Sequence, residues 1–442
     1  MDAYLLIITL LAIIIVIVGV SVFKWHAFIS LTVASLFLAI FSGMSWDKIT
    51  SGYETGVGGA LGHLVGIFAL GTILGKMLAE SGGGLTIANF FVKSMGEKML
   101  PWAMFCAGFI VGIPVFFEVG ILILLPLVIS ISKASKKNIL LVALPAIAGL
   151  SIVHGIIPPH PGAIAAIAIY GANMGKVLLY GLIVAIPAGI IGGPLFATMI
   201  HKRVIPQDEP KLIEVEEKDP ATLPGVGVSF FIILLPVVLL LLGTFATYLT
   251  KNAPVQHFLA FIGSPLVALL ISVFVAYILL GFNKGMDRNL IKKFTEESIL
   301  PVGSIIIIIG AGGGFKQILI DSGVANVIGN MAHHFSLSPL VLAYLIAVLI
   351  RVATGSATVS LTTAAGIVAP IVQHMTGVNM ELLVIATGAG SLFASHVNDA
   401  GFWMVKEYLG LSLKETFKTW TVLETILSVV AFAIVMVLNV FV

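Results

Sequence analysis

Residues 100–131 read LPWAMFCAGFIVGIPVFFEVGILILLPLVISI, and this apolar stretch is the strongest single indication of the architecture. It is interrupted at Gly112-Ile113-Pro114, where glycine and proline disfavour a continuous helix. The stretch is too long for one straight crossing of a bilayer, which needs about 20 apolar residues, and each half is short. We therefore interpret it as a re-entrant hairpin, in which two half-helices meet at a tip inside the protein.

The overall composition predicts an all-α integral membrane protein. Hydrophobic residues make up 59% of the 442 residues and charged residues 10%, against about 45–50% and about 25% in an ordinary soluble chain. The 23 basic and 21 acidic residues form no basic stripe, so a nucleic-acid partner is not expected. The single cysteine, Cys106, excludes an internal disulfide.

The first apolar run, 4–22, follows no basic segment, and we interpret it as a retained span rather than a signal peptide.

Apolar runs predict about ten transmembrane spans, together with a second interrupted hairpin at 339–372 that breaks at Thr354-Gly355-Ser356. The spans are expected near 4–22, 28–41, 60–79, 138–171, 176–200, 228–249, 259–282, 299–315, 381–405 and 419–442. Two of them, 138–171 and 381–405, are themselves interrupted by polar or proline-rich segments.

The chain divides into two similar halves, 1–200 and 228–442, joined by a polar linker at 201–227. The segment 76–82 resembles 316–323, and we expect each to begin an interfacial arm. Each half has an odd number of crossings, so the second is predicted to be inverted relative to the first. Placing the linker in the cytoplasm puts most of the 23 lysines and arginines on that side, which favours both termini outside.

Glu118 is the leading candidate for a functional charge. It is the only charged residue between Lys98 and Lys133, and it lies at the expected tip of the first hairpin. An ionisable group in an apolar stretch suits a proton carrier. The alternative is structural, with Glu118 holding the tip through a backbone amide.

The second hairpin tip has hydroxyl groups where the first has Glu118. Amides at the start of a half-helix and nearby hydroxyls suit a carboxylate, although ordinary capping of a broken helix explains the same residues. The candidates there are Thr354, Gly355, Ser356 and Thr358. Arg351 precedes them, and it either attracts the substrate anion or neutralises Asp399.

The two broken spans supply further candidates, because helix breaks free backbone groups for a ligand or ion. These are His154, Pro159 and His160 in one span and Ser395, His396, Asn398 and Asp399 in the other. After Glu118, we rank Asp399 and then His160 as proton-coupling residues. No spacing of histidine, cysteine and carboxylates predicts a metal site, and no motif predicts another cofactor or an enzyme.

Five motifs in order resemble the gluconate permease family over the full chain. They are Gly75-Lys76-Met77-Leu78-Ala79-Glu80, Phe117-Glu118-Val119-Gly120, His154-Gly155 with Pro158-Pro159-His160-Pro161-Gly162, Gly355-Ser356-Ala357-Thr358-Val359, and Ser395-His396-Val397-Asn398-Asp399 with Gly401-Phe402-Trp403. The family is similar to a wider ion-transporter superfamily with inverted repeats, two hairpins and an elevator-type transport domain. The resemblance adds Phe117 to the substrate-binding candidates.

The resemblance implies proton-coupled uptake of gluconate or a related sugar acid across a bacterial cytoplasmic (inner) membrane. Idonate, fructuronate, glycerate and D-serine are alternative substrates in the family. We expect the hairpins and broken helices to form the transport domain. The plain helices near 4–41, 176–200, 228–282 and 419–442 would form a scaffold and a homodimer contact. The rival readings are a membrane-embedded enzyme, which lacks an evident nucleophile–base pair, and a cation/proton antiporter using Glu118 and Asp399.

Overall fold

Every regular element in the described part of the computed structural model is a helix. The structure describes residues 2–206, 222–300, 302–324, 338–372, 375, 377–397 and 399–442. Most of the linker at 201–227 and the candidate residue Asn398 therefore lie outside the described residues. Within those ranges, seven helices are long and apolar enough to cross a membrane.

The first half of the chain ends with a long helix that contains a π-helical turn around Pro194, a residue that cannot donate a backbone hydrogen bond. The helices of the first half are α1 (Asp2–Ser21), α2 (Ala27–Phe41), α3 (Trp46–Ser81), α4 (Gly83–Met95), α5 (Leu100–Gly112), α6 (Phe117–Ser135), α7 (Ile139–Ile156), α8 (Pro161–Tyr170) and α9 (Met174–Ile200).

Like the first half, the second half ends with an interrupted pair, a broken helix and a plain last helix. Its helices are α10 (Val226–Thr244), α11 (Ala253–Ile262), α12 (Pro265–Lys284), α13 (Arg288–Ile299), α14 (Val302–Asp321), α15 (Pro339–Thr354), α16 (Ala357–Val372), α17 (Met380–Leu392), α18 (Ala400–Tyr408) and α19 (Leu413–Leu438).

Both apolar stretches interpreted as hairpins are interrupted in the structure at the expected positions. In the first, α5 ends at Gly112 and α6 begins at Phe117, with Pro114 between them. In the second, Gly355 has φ +75° and lies between α15 and α16. A left-handed backbone favours glycine, so the break there follows from the local sequence.

The two long spans expected to be broken are also interrupted. Helices α7 and α8 are separated by residues 157–160, where the Pro158–Pro159 peptide bond is cis and Pro161 begins α8. Helix α17 ends at Leu392, and Asp399 caps the start of α18. These four interruptions, all seen within the described ranges, are available to build a site.

Several boundaries differ from the sequence-based expectations, and the helix that contains the span expected near 60–79 begins already at Trp46. The span expected at 259–282 begins at Pro265, because α11 ends at Ile262 and proline favours the first turn of a new helix. Residues 76–81 do not begin an interfacial arm. They continue α3, and the chain turns only at Gly82, whose φ is +79°. In the second half, residues 316–321 likewise continue α14, and the segment 325–337 lies outside the described residues.

Packing joins the interrupted elements into one body. Helix α5 packs against α7, α15 against α17, and α16 against α8, while the broken helices contact each other. The plain helices α9 and α19 pack against α7 and α17 as well. The expectation that 176–200 and 419–442 belong to the scaffold stays a prediction, because these contacts do not show which helices move together.

Candidate substrate site

A cavity of about 290 Å³ lies where the helix interruptions meet. Both interrupted pairs, both broken helices and the last helix, α19, contribute to its wall. The lining residues are Phe117, Glu118, Ser151, His154, Arg351, Thr354, Gly355, Ser356, Ala357, Thr358, Leu392, Asp399, Ala400, Trp420 and Glu424. The cavity therefore collects residues that are far apart in the sequence.

A buried arginine provides the positive charge of the cavity. Arg351 is 3% exposed, and its Nη2 donates to Asp399 Oδ2 at 2.6 Å. Its Nη1 donates to the carbonyl oxygen of Gly355, at the break between α15 and α16. Arg351 Nε has no hydrogen-bond partner among the described residues. The guanidinium thus joins the second tip to the break before α18.

A further network holds Asp399 in place. Its Oδ1 accepts a hydrogen bond from the Gly401 amide at 2.9 Å, and its Oδ2 also accepts one from Ser395 Oγ. Trp420 Nε1 donates to Ser395 Oγ at 2.7 Å, and Thr421 Oγ1 donates to the Ser395 carbonyl at 2.6 Å. Ser395 therefore acts through Asp399 and α19 rather than from the cavity wall.

The second tip contributes hydroxyl-bearing residues and the start of α16 to the cavity wall. Ser356 Oγ accepts a hydrogen bond from the Val359 amide at 3.3 Å, as a capping residue does. The first amides of α16 have no acceptor within the helix, because no preceding turn supplies one. Since the Val359 amide is already bonded to Ser356, the amides of Ala357 and Thr358 and the Ser356 and Thr358 hydroxyls are the groups that can bind an oxyanion.

The first tip contributes an aromatic ring and a carboxyl group. The Phe117 ring lies 5.3 Å from Trp420 and 6.3 Å from His154, measured between ring centroids. Glu118 lines the cavity, and it is exposed although its sequence neighbours are apolar. The rings form an apolar wall, and Glu118 lies at the accessible edge of the cavity.

The remaining sequence candidates are not all brought together. His154 lines the cavity, and its buried Nδ1 has no partner among the described residues. His160 and Pro159 instead line a separate small cavity of about 10 Å³, where His160 Nε2 lies 2.6 Å from the Gly112 carbonyl. His396 Nε2 lies 3.0 Å from the Val352 carbonyl. Asn398 lies outside the described residues.

Sequence reasoning missed three polar or aromatic residues of the cavity wall. Glu424 is 1% exposed, and its Oε1 accepts a hydrogen bond from Ser151 Oγ at 2.5 Å. Trp420 lies one turn earlier on α19. A signal for Glu424 was available, since it is the only charged residue in the apolar run 419–442. Ser151 had no comparable signal.

A metal centre has no support in this arrangement. Across the described ranges, histidine, cysteine, aspartate and glutamate form no group of three that could hold a metal ion. What the cavity can do is bind a small anion through Arg351, amides and hydroxyls, beside carboxyl groups that can take up a proton.

Comparison with known proteins identifies the family. The model of the GntP family permeases matches residues 4–441. A gluconate permease of Pseudomonas aeruginosa is 47% identical over 441 residues, covering 99% of this chain and 98% of that protein. A gluconate permease of Bacillus subtilis is 43% identical, covering 97% of each chain.

A solved structure shows the same fold. The YdaH transporter of Alcanivorax borkumensis superposes with a TM-score of 0.69 at 15% identity, covering 94% of this chain and 98% of that one. The family match, the relatives and the apolar helices agree. The chain therefore belongs to the GntP permease family, and it is a multi-pass transporter of the bacterial inner membrane, not an enzyme.

Proposed function

We propose that this protein imports gluconate, or a closely related sugar acid, by proton symport. The observation that carries the proposal is the cavity itself, in which Arg351, the start of α16 and the Ser356 and Thr358 hydroxyls stand beside the carboxyl groups of Glu118 and Glu424. A carboxylate is recognised by the first set of groups, and a proton is bound by the second. The names of the full-length relatives support gluconate as the anion.

The volume of the cavity supports a small substrate. Its volume of about 290 Å³ is close to the lower limit for small-molecule sites, which typically measure about 300–1,000 Å³. The carboxylate of gluconate would bind at the second tip, and its hydroxyl groups would meet Ser151, Glu424 and Glu118. Phe117 and Trp420 would pack against the carbon chain. Idonate, glycerate and D-serine share the carboxylate and are the nearest competitors.

Transport requires that the site open alternately to the two sides, and we propose an elevator movement for it. The interrupted pairs α5–α6 and α15–α16 would be re-entrant hairpins in inverted repeats 1–200 and 228–442. The contacts of α9 and α19 with the broken helices favour including both in the moving body. The outer helices would form the scaffold of a homodimer in the lipid bilayer.

Among the proton-coupling candidates, the geometry favours Glu118 over the other two. Glu118 reaches the accessible edge of the cavity, whereas Asp399 is paired with Arg351. His160 is bonded to the Gly112 carbonyl in the separate small cavity. We therefore propose that Glu118 exchanges the proton with water, with Asp399 as the next residue to test.

Uptake by the purified protein in liposomes tests the proposal. Labelled gluconate should accumulate inside when the outside is made acidic, and adding sodium should change nothing. Accumulation that needs sodium, or cation efflux without gluconate, would instead indicate a sodium symporter or a cation/proton antiporter. Competition by unlabelled idonate, glycerate and D-serine ranks the substrates. If unlabelled gluconate does not reduce the uptake of any of these acids, gluconate is not the substrate.

A further inference from the structure

Glu424 is a buried acid in the cavity wall that the sequence argument did not use. It lies on α19 and is 1% exposed. Its Oε1 accepts a hydrogen bond from Ser151 Oγ at 2.5 Å. Ser151 lies on α7, so the bond joins the first broken helix to the last helix of the chain. A buried polar contact between two transmembrane helices beside a substrate cavity points to a role in the transport cycle.

Among the described residues, no free counter-charge lies beside Glu424 in the cavity wall. The ion pairs found among the described residues do not involve Glu424, and the one arginine of the cavity is already bonded to Asp399. The titratable and charged groups around it are His154 from α7, Arg351 from α15, Asp399 before α18 and Glu118 from α6, with Tyr344 bonded to Ser428 one turn further along α19. A buried carboxylate without its own cation is costly, whereas a protonated carboxyl is accommodated more easily.

The contrast with Glu118 separates the two roles. Glu118 is more exposed than Glu424 at the edge of the same cavity, so it is the better placed of the two to exchange protons with water. Glu424 is shielded from water but borders the space where the substrate would lie. An arriving anion adds a negative charge beside Glu424 and thereby favours its protonated form.

We propose that Glu424 is the residue that binds the coupling proton together with the substrate anion, while Glu118 passes that proton to and from water. This inference rests on the proposed symport. The step is a simple protonation, in which one proton adds to a carboxylate oxygen when the anion binds and leaves when the anion is released. The site therefore has the same net charge when it is empty and when it holds both anion and proton.

Calorimetry of gluconate binding in buffers of different ionisation enthalpy counts the protons taken up. Above the pH at which Glu424 of the empty site loses its proton, the unmodified protein should take up close to one proton per gluconate, and its Kd should rise by up to about ten-fold per pH unit as that proton becomes scarce. Glu424→Gln should bind gluconate with almost no proton uptake and with a Kd that hardly depends on pH. The Glu118→Gln variant should keep the uptake at equilibrium, because it affects only the path of the proton.

Two further variants serve as controls. Ser151→Ala removes the hydrogen bond but not the acid, so it should weaken gluconate binding while keeping the proton uptake per bound gluconate. Glu296→Gln makes the same chemical change on the exposed surface of α13, away from the cavity, and should behave like the unmodified protein. Full proton uptake by Glu424→Gln would overturn the role inferred for Glu424 but leave the proposed symport standing. Absence of uptake in the unmodified protein would instead overturn the proposed symport.

Infrared difference spectroscopy covers the case in which Glu424→Gln does not fold or does not bind gluconate. Gluconate should produce a protonated-carboxyl band in the unmodified protein, and Glu424→Asp, which keeps a carboxyl group, should shift that band. A gluconate-induced band that Glu424→Asp leaves unshifted would assign the proton to another residue.

Discussion

Single residues at the second tip are expected to determine substrate affinity. Ser356 and Thr358 lie in the cavity wall at the start of α16, where a carboxylate would accept hydrogen bonds. Losing one hydrogen bond to a charged group costs about 1.5–3 kcal/mol. Ser356→Ala and Thr358→Val should therefore each weaken gluconate binding about ten-fold or more, as measured by calorimetry on the purified proteins.

The matched control for these changes is Ser272→Ala. Ser272 is also buried, but its hydroxyl bonds the Ala268 carbonyl within α12, away from the cavity. This variant should bind gluconate normally. Normal affinity in both tip variants would move the anion site away from the start of α16.

Glu118 is expected to be needed for coupling rather than for folding. Glu118→Gln mimics the protonated side chain and leaves the exposed edge of the cavity otherwise intact. It should still exchange labelled for unlabelled gluconate across a liposome membrane, but it should lose accumulation driven by an acidic exterior. Glu296→Gln is again the control. If the Glu118→Gln variant still concentrates substrate in response to the pH step, Glu118 is a structural residue.

At the scale of helices, the Arg351–Asp399 pair ties α15 to the start of α18. Removing one partner of a buried ion pair leaves the other uncompensated, at a cost of about 3–5 kcal/mol. Asp399→Ala should therefore lower the thermal unfolding midpoint in detergent markedly. The double variant Arg351→Met/Asp399→Leu should recover most of that loss, because it buries no unpaired charge. A double variant as unstable as the sum of the single changes would contradict this account.

Close contact between helices depends on glycine where α5 meets α7. A Cβ atom added at Gly108 would lie 2.0 Å from the Ala146 carbonyl oxygen, so the two backbones would have to separate. Gly108→Ala should cost at least the about 1–3 kcal/mol typical of overpacking and should lower the thermal midpoint. Gly227→Ala is the control, since a Cβ there meets no atom within 4 Å. Equal stability of the two variants would show that α5 and α7 can move apart freely.

The whole molecule has a predicted orientation in the membrane. We expect both termini outside and the linker at 201–227 in the cytoplasm, because this arrangement puts most lysines and arginines inside. In a background with Cys106 replaced by alanine, cysteines at Ser135 and Thr222 should resist an impermeant thiol reagent added to intact cells. A cysteine at the exposed Lys251 should react. Ready labelling at Ser135 or Thr222 would reverse the arrangement.

The sequence alone determined the membrane class, the positions of the helix interruptions and many of the cavity residues. These features are local, since the length of an apolar run and the placement of glycine and proline act within a few residues. Gly112, Pro114 and Gly355 mark two interruptions, and the interruptions are where the cavity forms.

Only the tertiary structure decided which polar groups share the cavity. Ser151 and Glu424 are 273 positions apart and meet at 2.5 Å, a contact that no local pattern encodes. Glu118 is exposed although its sequence neighbours are apolar, and His160 lines a separate small cavity. The physical reason is that burial and charge pairing depend on which helices pack together, and packing is decided by contacts between distant segments of the chain.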